Sequence, residues 1–397
     1  MRRAAFAAIL LVVTGCANPQ AGPTAPGRPS TGLGTAHPAS GAVLSLSKGR
    51  QALRVADVTL EAPAGFQVNL FAENLGRARF MALDPRGRLM VCDMGGGRVL
   101  TLPDEDHDGR ADRVVEFASG VNLAHSLAWR QGKAYVTGGT EVVEFTDTDG
   151  DGVADSRRAI IDDLPDGPGH ITRTIVFDPA EKKMYVSVGS SSNVTPEQDR
   201  RRAAVLRFDP DGSHMEVFAT GLRNSVGLAF DPTTGQLWGT DNGRDWLGDN
   251  LPPDELNIIR EGGFYGWPWY YGDNIPDPEF KTRPAPGIPP ALELQAHSAP
   301  LGLCFYTGEQ FPQEYRGDVF VCFHGSWNRT VSTGYKLVRV RVREGRPASY
   351  EDFLTGFLTD TGVTGRPVDP IVGADGALYF SDDQRGRIYR VTWGGGS

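Results

Sequence analysis

The sequence predicts an all-β protein, a six-bladed β-propeller, from three observations. The 397 residues include 50 Gly and 28 Pro, which separate short β-branched and aromatic stretches, as in a protein of many strands. No apolar run reaches the roughly 18 residues of a membrane-spanning helix, and no long window shows helical spacing. One strand pattern recurs six times, which indicates a ring of repeated units whose radial packing leaves few open edges.

The inner strand of each unit is the most regular part of the repeat. Several copies end in Asp-Pro, a turn signal, and the copies recur about every 45 to 75 residues because some units carry inserted loops. The predicted inner strands are residues 80–85, 126–129, 174–179, 227–232, 302–306 and 370–375.

The outer strands supply a second check and predict how the ring closes. Four of them precede an inner strand, at residues 114–117, 159–161, 216–219 and 351–354. Residues 66–71 form a further copy that stands first in the body, whereas the last unit ends with its third strand at 387–391. We therefore expect residues 66–71 to complete the last blade, leaving residues 394–397 as a tail.

The N-terminal residues read as an export signal followed by a tether. Residues 1–15 contain Arg2 and Arg3 and then an apolar stretch, which is typical of a secretory leader. Residues 13–16 resemble a bacterial lipobox, so we expect acylation of Cys16, although an ordinary leader with an incidental cysteine is the alternative. Residues 16–56 are rich in Pro, Gly and Ser and predict a flexible tether before the body at 57–393. The expected product is exported, anchored by lipid to a bacterial membrane, and faces the periplasm or the cell exterior.

Charge and cysteine content exclude some classes of partner and scaffold. The formal net charge of −9 repels a phosphate backbone, so nucleic acid is not an expected partner. Four cysteines are too few for a disulfide scaffold, and Cys92, Cys304 and Cys322 are expected to be small buried strand residues.

Two Asp-rich loops have the first half of a calcium-binding pattern. Residues 104–109 and 147–152 place acidic side chains at alternate positions before a glycine, and Asp112 and Asp155 follow. The bidentate glutamate that would complete an EF-hand loop is missing from both. Weak calcium binding and acidic turns that accept hydrogen bonds from local amides both remain open.

The third and fourth repeats concentrate Gly, Trp and charged residues where loops cross one end of a propeller. His170 stands just before an inner strand, at the expected mouth of the central channel. The segments 221–224, 241–244, 254–259 and 262–268 follow in the next blade. Such runs favour a ligand-binding floor over a solvent loop.

The order of these motifs resembles the soluble glucose/sorbosone dehydrogenases, a family of six-bladed propellers that use pyrroloquinoline quinone (PQQ) and calcium. The resemblance covers residues 57–393 and looks closest to the sorbosone-dehydrogenase branch. It is carried by the segments 170–179, 221–232, 242–257, 263–268, 324–329, 334–336 and 365–369, with His-Gly-Ser-Trp-Asn-Arg at 324–329 and Pro-Pro-Asp-Glu-Leu-Asn at 252–257 as its most specific pieces.

The resemblance implies a role for several residues. His170 would be the catalytic base, and calcium would bind the backbone carbonyls of Gly243 and Arg244, with Glu255 a candidate ligand of a second calcium ion. The side chains implied in binding the three carboxylates and the quinone of PQQ are Arg223, Asn224, Lys336 and Arg366. His125 and His324 are the rival bases.

The chain also departs from the glucose-oxidising members of the family. They orient the catalytic histidine with an aspartate where this chain has Ser190, so His170 is less activated or is served by another acid such as Asp166. They carry two arginines where this chain has Arg366 and Val368. Glucose itself is therefore a poor candidate substrate.

The leading hypothesis is an oxidoreductase that converts an aldose or an aldehyde-bearing, sorbosone-like sugar to its lactone or acid. Electrons would pass to an external acceptor, a quinone or a cytochrome, because the body lacks the Cys-x-x-Cys-His motif of an attached haem. The alternatives are a metal-dependent lactonase on the same fold and a non-catalytic binding propeller.

Overall fold

The computed structural model describes residues 49–395, which form strands, turns and one short 3₁₀ helix. The leader, Cys16 and the tether up to residue 48 lie outside the described residues. No helix in the described range is long and apolar enough to cross a membrane.

The first strands form a hairpin and a closing strand. Strand β1 (Arg50–Val55) pairs with β2 (Val58–Pro63), and β3 (Phe66–Ala72) follows. The sequence analysis placed residues 50–56 in the tether, but Arg50 donates hydrogen bonds to the carbonyls of Asp352 and Phe353 and fixes this hairpin to the last strand of the fifth blade. The ordered body therefore begins before residue 57.

Six blades follow in chain order, each built on four antiparallel strands, and the sheet of blade 3 gains a fifth, parallel strand from an insertion. Blade 1 contains β4 (Ala78–Leu83), β5 (Leu89–Asp93), β6 (Arg98–Leu102) and β7 (Val115–Ser119). Blade 2 contains β8 (Ser126–Arg130), β9 (Lys133–Gly138), β10 (Glu141–Thr146) and β11 (Ser156–Ile161). Blade 3 contains β12 (Ile175–Phe177), β13 (Met184–Val188), β14 (Ala204–Phe208) and β15 (Glu216–Thr220).

Blade 4 carries the largest insertion. Its strands β16 (Leu228–Phe230), β17 (Leu237–Asp241) and β18 (Asp254–Ile259) are followed by the short strands β19 (Gly263–Phe264), β20 (Tyr270–Tyr271) and β21 (Ile275–Pro276), and then by the outer strand β22 (Leu292–Leu294). Strand β19 pairs in parallel with β15, which ties the insertion to blade 3.

Blades 5 and 6 complete the ring. Blade 5 contains β23 (Pro300–Phe305), the 3₁₀ helix Gln313–Tyr315, β24 (Val319–Phe323), β25 (Lys336–Arg343) and β26 (Arg346–Leu354). After a small hairpin of β27 (Leu358–Thr359) and β28 (Gly362–Val363), blade 6 contains β29 (Pro367–Val372), β30 (Leu378–Asp382) and β31 (Arg387–Trp393). The fourth strand of blade 6 is β3, which pairs with β31 as the sequence predicts.

The six inner strands surround the centre of the ring, and each contacts its neighbour on both sides. They coincide with the six predicted copies, so the six-bladed propeller is confirmed. A buried cluster of Phe80, Val226, Leu301 and Val368, from blades 1, 4, 5 and 6, fills the centre. Apolar faces of adjacent blades pack together elsewhere and form the rest of the core.

The Asp-rich loops join the third and outer strands of blades 1 and 2. Their carboxylates accept hydrogen bonds from loop amides, as from the Gly109 N–H to Asp104 (3.1 Å) and from the Gly150 N–H to Asp147 (2.7 Å). These contacts are the acidic turns of the second interpretation, and calcium binding there stays a prediction. Cys92 and Cys322 are buried free thiols, and Cys304 is partly buried.

Candidate functional site

Five of the sequence-predicted site residues line one cavity of about 320 Å³. Loops that lead into inner strands and loops that join second to third strands form its wall, and Val226 and Leu301 of the central cluster belong to its lining. The predicted residues that meet here are His170, Arg223, Asn224, Gly243 and Arg366. A larger cavity of about 550 Å³ involves blades 6 and 1, and two of its three arginines, Arg88 and Arg390, are paired with Asp84 and Asp375.

His170 is held in one orientation by Ser190. The His170 Nδ1 lies 3.0 Å from the Ser190 Oγ and 3.2 Å from the Ser190 carbonyl oxygen. Because the Ser190 hydroxyl donates its own hydrogen to the Ser192 carbonyl at 2.6 Å, its oxygen accepts from His170. The proton of neutral His170 therefore sits on Nδ1, and Nε2 keeps its lone pair with no hydrogen-bond partner among residues 49–395.

The same surroundings keep His170 uncharged. Burial, together with the positive charge of Arg223, lowers the pKa of His170 to about 3. Asp166, the alternative orienting acid, is exposed, and its contact with the site is a hydrogen bond from Arg202 to its backbone carbonyl. Ser190, rather than the carboxylate of Asp166, is therefore the group that orients this histidine.

Arg223 is buried and fixes the loop after β17. Its guanidinium donates to the Gly243 carbonyl (2.8 Å) and to Asn193, and it forms an ion pair with Asp245 (3.1 Å). Its own backbone N–H donates to the buried Asp241 carboxylate (3.0 Å). The arginine thus presents a positive charge at the cavity while most of its donors already have protein acceptors.

Asn224 joins two blades at the cavity wall. Its Oδ1 accepts a hydrogen bond from the Thr172 hydroxyl at 2.7 Å, and its backbone N–H donates to Asp241 at 2.7 Å. Burial, with Glu255 nearby, raises the pKa of Asp241 well above the usual range of a carboxyl group. These contacts set the relative position of the two loops that carry His170 and Arg223.

Arg366 is the least committed cation of the cavity. Its guanidinium lies 3.5 Å from the His324 Nδ1 and 3.5 Å from the Tyr335 hydroxyl, and no carboxylate of the described chain pairs with it. A buried carboxylate, Asp383, accepts from the His324 Nε2 at 2.9 Å and pairs with Arg79 at 2.9 Å. Burial alone would raise the pKa of Asp383, but the hydrogen bond from His324 and the charge of Arg79 hold it well below its usual value.

Sequence reasoning missed Arg79 and Asp383. Arg79 immediately precedes the first inner-strand copy, just as Arg173 precedes the third, so comparing that position across repeats could have found it. Asp383 follows β30 with no pattern of its own. The cavity wall therefore carries three arginines from blades 1, 4 and 6, one more than the sequence placed there.

Lys336 is a correction to the predicted site. It is the first residue of β25, a third strand rather than an inner one, and its Nζ pairs with Asp352 of the outer strand β26 at 2.6 Å. Its side chain lines a separate groove with Asp352 and Tyr350. The geometry therefore removes Lys336 from the residues that could hold a cofactor in the cavity of His170.

The two rival histidines differ in environment. His125 is fully buried against Phe80, with ring centroids 5.1 Å apart, and neither of its ring nitrogens has a hydrogen-bond partner in the described part of the chain. Burial lowers the pKa of His125 well below its ordinary value. His324 lines the cavity, but its Nε2 is bonded to Asp383 and its Nδ1 faces Arg366. His170 is the histidine of the cavity wall with an unengaged nitrogen.

Oxygen donors for a hard cation lie beside Arg223. The carbonyl of Gly243 borders the cavity together with the carboxylates of Asp245 and Asp254. That carbonyl already accepts from Arg223, which leaves one lone pair for a metal ion. The side chain of Arg244 points elsewhere and pairs with the buried Asp277 at 2.9 Å. The donor set fits calcium in kind, provided that anionic ligands offset the nearby guanidinium.

Glu255 borders a second, smaller chamber of about 20 Å³, room for about one water or ion. Asp241 and Asp277 also line it. Burial raises the pKa of Glu255 to about 7, and the buried Asn257 Oδ1 close by has no hydrogen-bond partner among the residues that the structure describes. Buried carboxylates with raised pKa values and an unpaired amide oxygen are the surroundings that a bound cation would stabilise.

Comparison with known proteins identifies several relatives. A family model described as a domain of unknown function, DUF7133, matches residues 54–393. An uncharacterized protein of Borreliella burgdorferi is 40% identical over 229 residues, 56% of this chain and 60% of that protein. A pyrroloquinoline quinone-dependent sugar dehydrogenase of Hypocrea jecorina is 28% identical over 84% of this chain and 90% of its own length.

Solved structures share the fold. A Trichoderma reesei enzyme of carbohydrate-active family AA12 superposes with a TM-score of 0.75 at 24% identity, covering 86% of this chain and 99% of that one. The PQQ-bound aldose sugar dehydrogenase of Streptomyces coelicolor superposes with a TM-score of 0.61 at 20% identity, covering 83% and 99%. Together with the sequence relatives, they confirm the resemblance to soluble PQQ-dependent sugar dehydrogenases, while a link to the sorbosone branch stays a prediction.

Proposed function

The chain belongs to the DUF7133 family, and from that premise we propose that it is a PQQ-dependent oxidoreductase that oxidises a sugar. The observation that carries the proposal is one cavity that holds both a neutral histidine, His170, and an arginine, Arg366. Within residues 49–395, the His170 Nε2 has no hydrogen-bond partner and Arg366 has no carboxylate partner. A base and an unpaired cation are what an anionic redox cofactor and a hydroxyl substrate require. The relative from Hypocrea jecorina, which bears this activity in its name, supports it.

The arginines of the cavity fit a cofactor with several carboxylates. Bound PQQ would supply a quinone that accepts the two electrons of a hydride. Arg366 would make the strongest new contact because its guanidinium has donors to spare, whereas Arg79 and Arg223 already hold Asp383 and Asp245. These two arginines would contribute mainly positive charge, and Asn224 would hold its loop in place.

His170 would act as the base. Its Nε2 would accept the proton of the anomeric hydroxyl, or of a hydrated aldehyde, and the cofactor, when bound, would supply the acceptor for the hydride on the same carbon. Arg223 contributes to the low pKa of His170, so an anionic group bound beside Arg223 would raise that pKa toward the working pH. Ser190 keeps the lone pair of the neutral imidazole on Nε2 before the proton is transferred.

Calcium would bind at the carbonyls of Gly243 and Arg244, next to Asp245. An ion held there would supply the Lewis acidity that favours hydride acceptance by a quinone. A second ion at Glu255 would neutralise the buried carboxylates of the chamber behind that loop. Both assignments rest on the oxygen donors present and on the family resemblance.

The substrate we propose is an aldose or an aldehyde-bearing sugar of the sorbosone type, oxidised to its lactone or acid. The electrons would then pass to an external quinone or cytochrome. The lipobox-like residues before Cys16 support an exported protein that works beside a bacterial membrane.

Reconstitution tests the proposal directly. The purified chain is titrated with PQQ in the presence of calcium, and dye reduction is then measured over a panel of aldoses and aldehyde sugars. We expect micromolar or tighter PQQ binding and turnover that depends on both additions. Lactone hydrolysis with metal alone would favour the lactonase, and absence of PQQ binding would favour the non-catalytic propeller.

A further inference from the structure

Two tryptophan side chains stand exposed beside the cavity. Trp246 is 69% exposed and Trp327 is 66% exposed, although most large apolar side chains of the described chain are buried. Their rings meet edge to face, with centroids 5.3 Å apart and planes at 85°. Both indoles therefore keep ring surface open to solvent, and together the two nearly perpendicular rings form a corner, which we call the tryptophan platform (Trp246 and Trp327).

The platform is held rigidly although its rings are open to solvent. The Asn328 side chain donates to Asp245 at 2.7 Å, and the Thr330 N–H donates to Asp249 at 3.0 Å, so hydrogen bonds on both sides join the two loops. Trp246 adopts a backbone φ of 72°, an unfavourable conformation for a bulky residue that persists only where its surroundings fix it. A surface fixed in advance loses little entropy when a ligand binds.

The platform is continuous with the candidate active site. Trp327 borders the cavity of His170, and so does Asp245, the residue directly before Trp246. Asp245 in turn is paired with Arg223 at 3.1 Å. A ligand whose reacting end lies near His170 would extend outward over the two indoles.

We propose that the tryptophan platform binds a second sugar ring, so that the preferred substrates are oligosaccharides that enter the cavity by their reducing end. This inference rests on the proposed function, since only a reducing end carries the anomeric hydroxyl to be oxidised. A pyranose ring has an apolar C–H face and C–H groups along its edge, which can contact both walls of a perpendicular corner. A flat quinone acceptor would stack on one wall alone.

Binding to the protein without cofactor tests the platform independently of turnover. The probes are cellotetraose, maltotetraose, xylotetraose and chitotetraose, each compared with its monosaccharide by calorimetry and tryptophan fluorescence. We expect at least one tetrasaccharide to bind more tightly than its monosaccharide. Trp246→Ala and Trp327→Ala should each weaken that binding about 5- to 30-fold, because an indole buries a large apolar area against the sugar.

Two further variants separate stacking from loss of structure. Trp246→Phe keeps an aromatic face and should retain most of the affinity that Trp246→Ala loses. Met215→Ala removes an exposed apolar side chain from the turn between β14 and β15, at the end of blade 3 opposite to the cavity. This control should leave the affinity for the tetrasaccharide unchanged. Equal losses in Trp246→Phe and Trp246→Ala would contradict stacking.

Kinetics on the reconstituted enzyme decide between the sugar and the electron acceptor. The platform predicts that the alanine variants raise the KM for the tetrasaccharide relative to that for the monosaccharide and leave the KM for the acceptor unchanged. Tetrasaccharides that bind no better than monosaccharides, or a raised acceptor KM instead, would overturn the inference. Oligosaccharide binding without any turnover would count against the proposed dehydrogenase while still supporting the platform.

Discussion

Ser190 explains how His170 can be a base without a carboxylate partner. A serine fixes the tautomer because its hydroxyl hydrogen is already committed to Ser192, so its oxygen can only accept. It adds no negative charge, however, and the pKa of His170 stays low. The orientation of the base and its strength are thus set by different neighbours, the first by Ser190 and the second by burial and Arg223.

Replacement of His170 should separate catalysis from cofactor binding. We expect His170→Gln to keep PQQ affinity, because the cofactor contacts proposed here do not use the imidazole. Turnover should fall about 100- to 10,000-fold, the usual contribution of a positioned base. Stopped-flow reduction of bound cofactor is the measurement, and near wild-type rates would move the base to His324.

The low pKa of His170 also predicts how stability varies with pH. The unfolded histidine takes up a proton below its ordinary pKa of 6.5, but the folded one does so only near 3. The unfolded state therefore binds more protons between these values, and this contribution to stability is lost as the pH falls from 6.5 toward 3. Chemical denaturation of the cofactor-free protein measures this effect. As the pH falls, the free energy of unfolding should decline less steeply in His170→Gln than in the wild type, by up to about 1.4 kcal/mol per pH unit. Parallel curves for the two proteins would show that His170 titrates normally.

Replacement of Arg366 tests the cofactor site, and replacement of Lys336 is its matched control. Arg366→Ala should weaken PQQ binding by about 1.5–3 kcal/mol, the value of a charge-assisted contact, because this guanidinium has no carboxylate to lose. Lys336→Ala removes the same formal charge from a separate groove, where it pairs with Asp352. Equilibrium titration should therefore show no change for the lysine variant, and equal losses in both would mean that long-range charge dominates.

Among the strands, those that belong to the repeated pattern can be predicted from the sequence, and those that follow an insertion cannot. The inner strands and the closing pair β3 and β31 could be found because apolar strand patterns recur in every unit and Asp-Pro turns recur in three of them. The outer strand β22 could not, because 32 residues of insertion separate it from β18. Lys336 was misplaced for a different reason: the family resemblance assigned it to the cofactor, whereas it begins the third strand β25 and pairs with Asp352 of β26.

The closing strand should account for a large share of the stability of the ring. Deletion of residues 1–48 should leave the melting temperature nearly unchanged, because the hairpin and β3 are retained. Deletion of residues 1–73 removes β3 with its core residues Phe66 and Val68, leaves β31 as an open edge and exposes the core residues Phe311 and Phe353 that pack against Phe66. Circular dichroism should show a much lower or non-cooperative transition for the second deletion, and equal melting curves would contradict closure through blade 6.

Over the whole molecule, charge is distributed unevenly. The chain carries a formal charge of −9, yet its cavity gathers Arg79, Arg223 and Arg366 from three blades. An anionic ligand is thus repelled by much of the surface and attracted at the cavity, which favours binding at that place. The sequence predicts the negative net charge but not this cluster of positive charge, since the three arginines meet only once the ring has closed.

The N-terminal prediction concerns where the molecule works. We expect the mature chain to begin at Cys16 and to partition with membranes, while Cys16→Ser gives soluble protein of unchanged sugar oxidation, because the anchor is separate from the propeller. Fractionation with mass spectrometry of the mature N-terminus is the measurement. Soluble wild-type protein cleaved at another position would contradict the lipid anchor.

The pairing of β3 with β31 also determines when the ring can close during synthesis of the chain. Residues 66–72 are made early, but their partners at 387–393 are made roughly 300 residues later. At about 5–20 residues per second, the first strand waits roughly 15–60 s for its partner during synthesis. Strand β3 therefore has no pairing partner until the chain is nearly finished, and the ring closes only after the last blade has emerged.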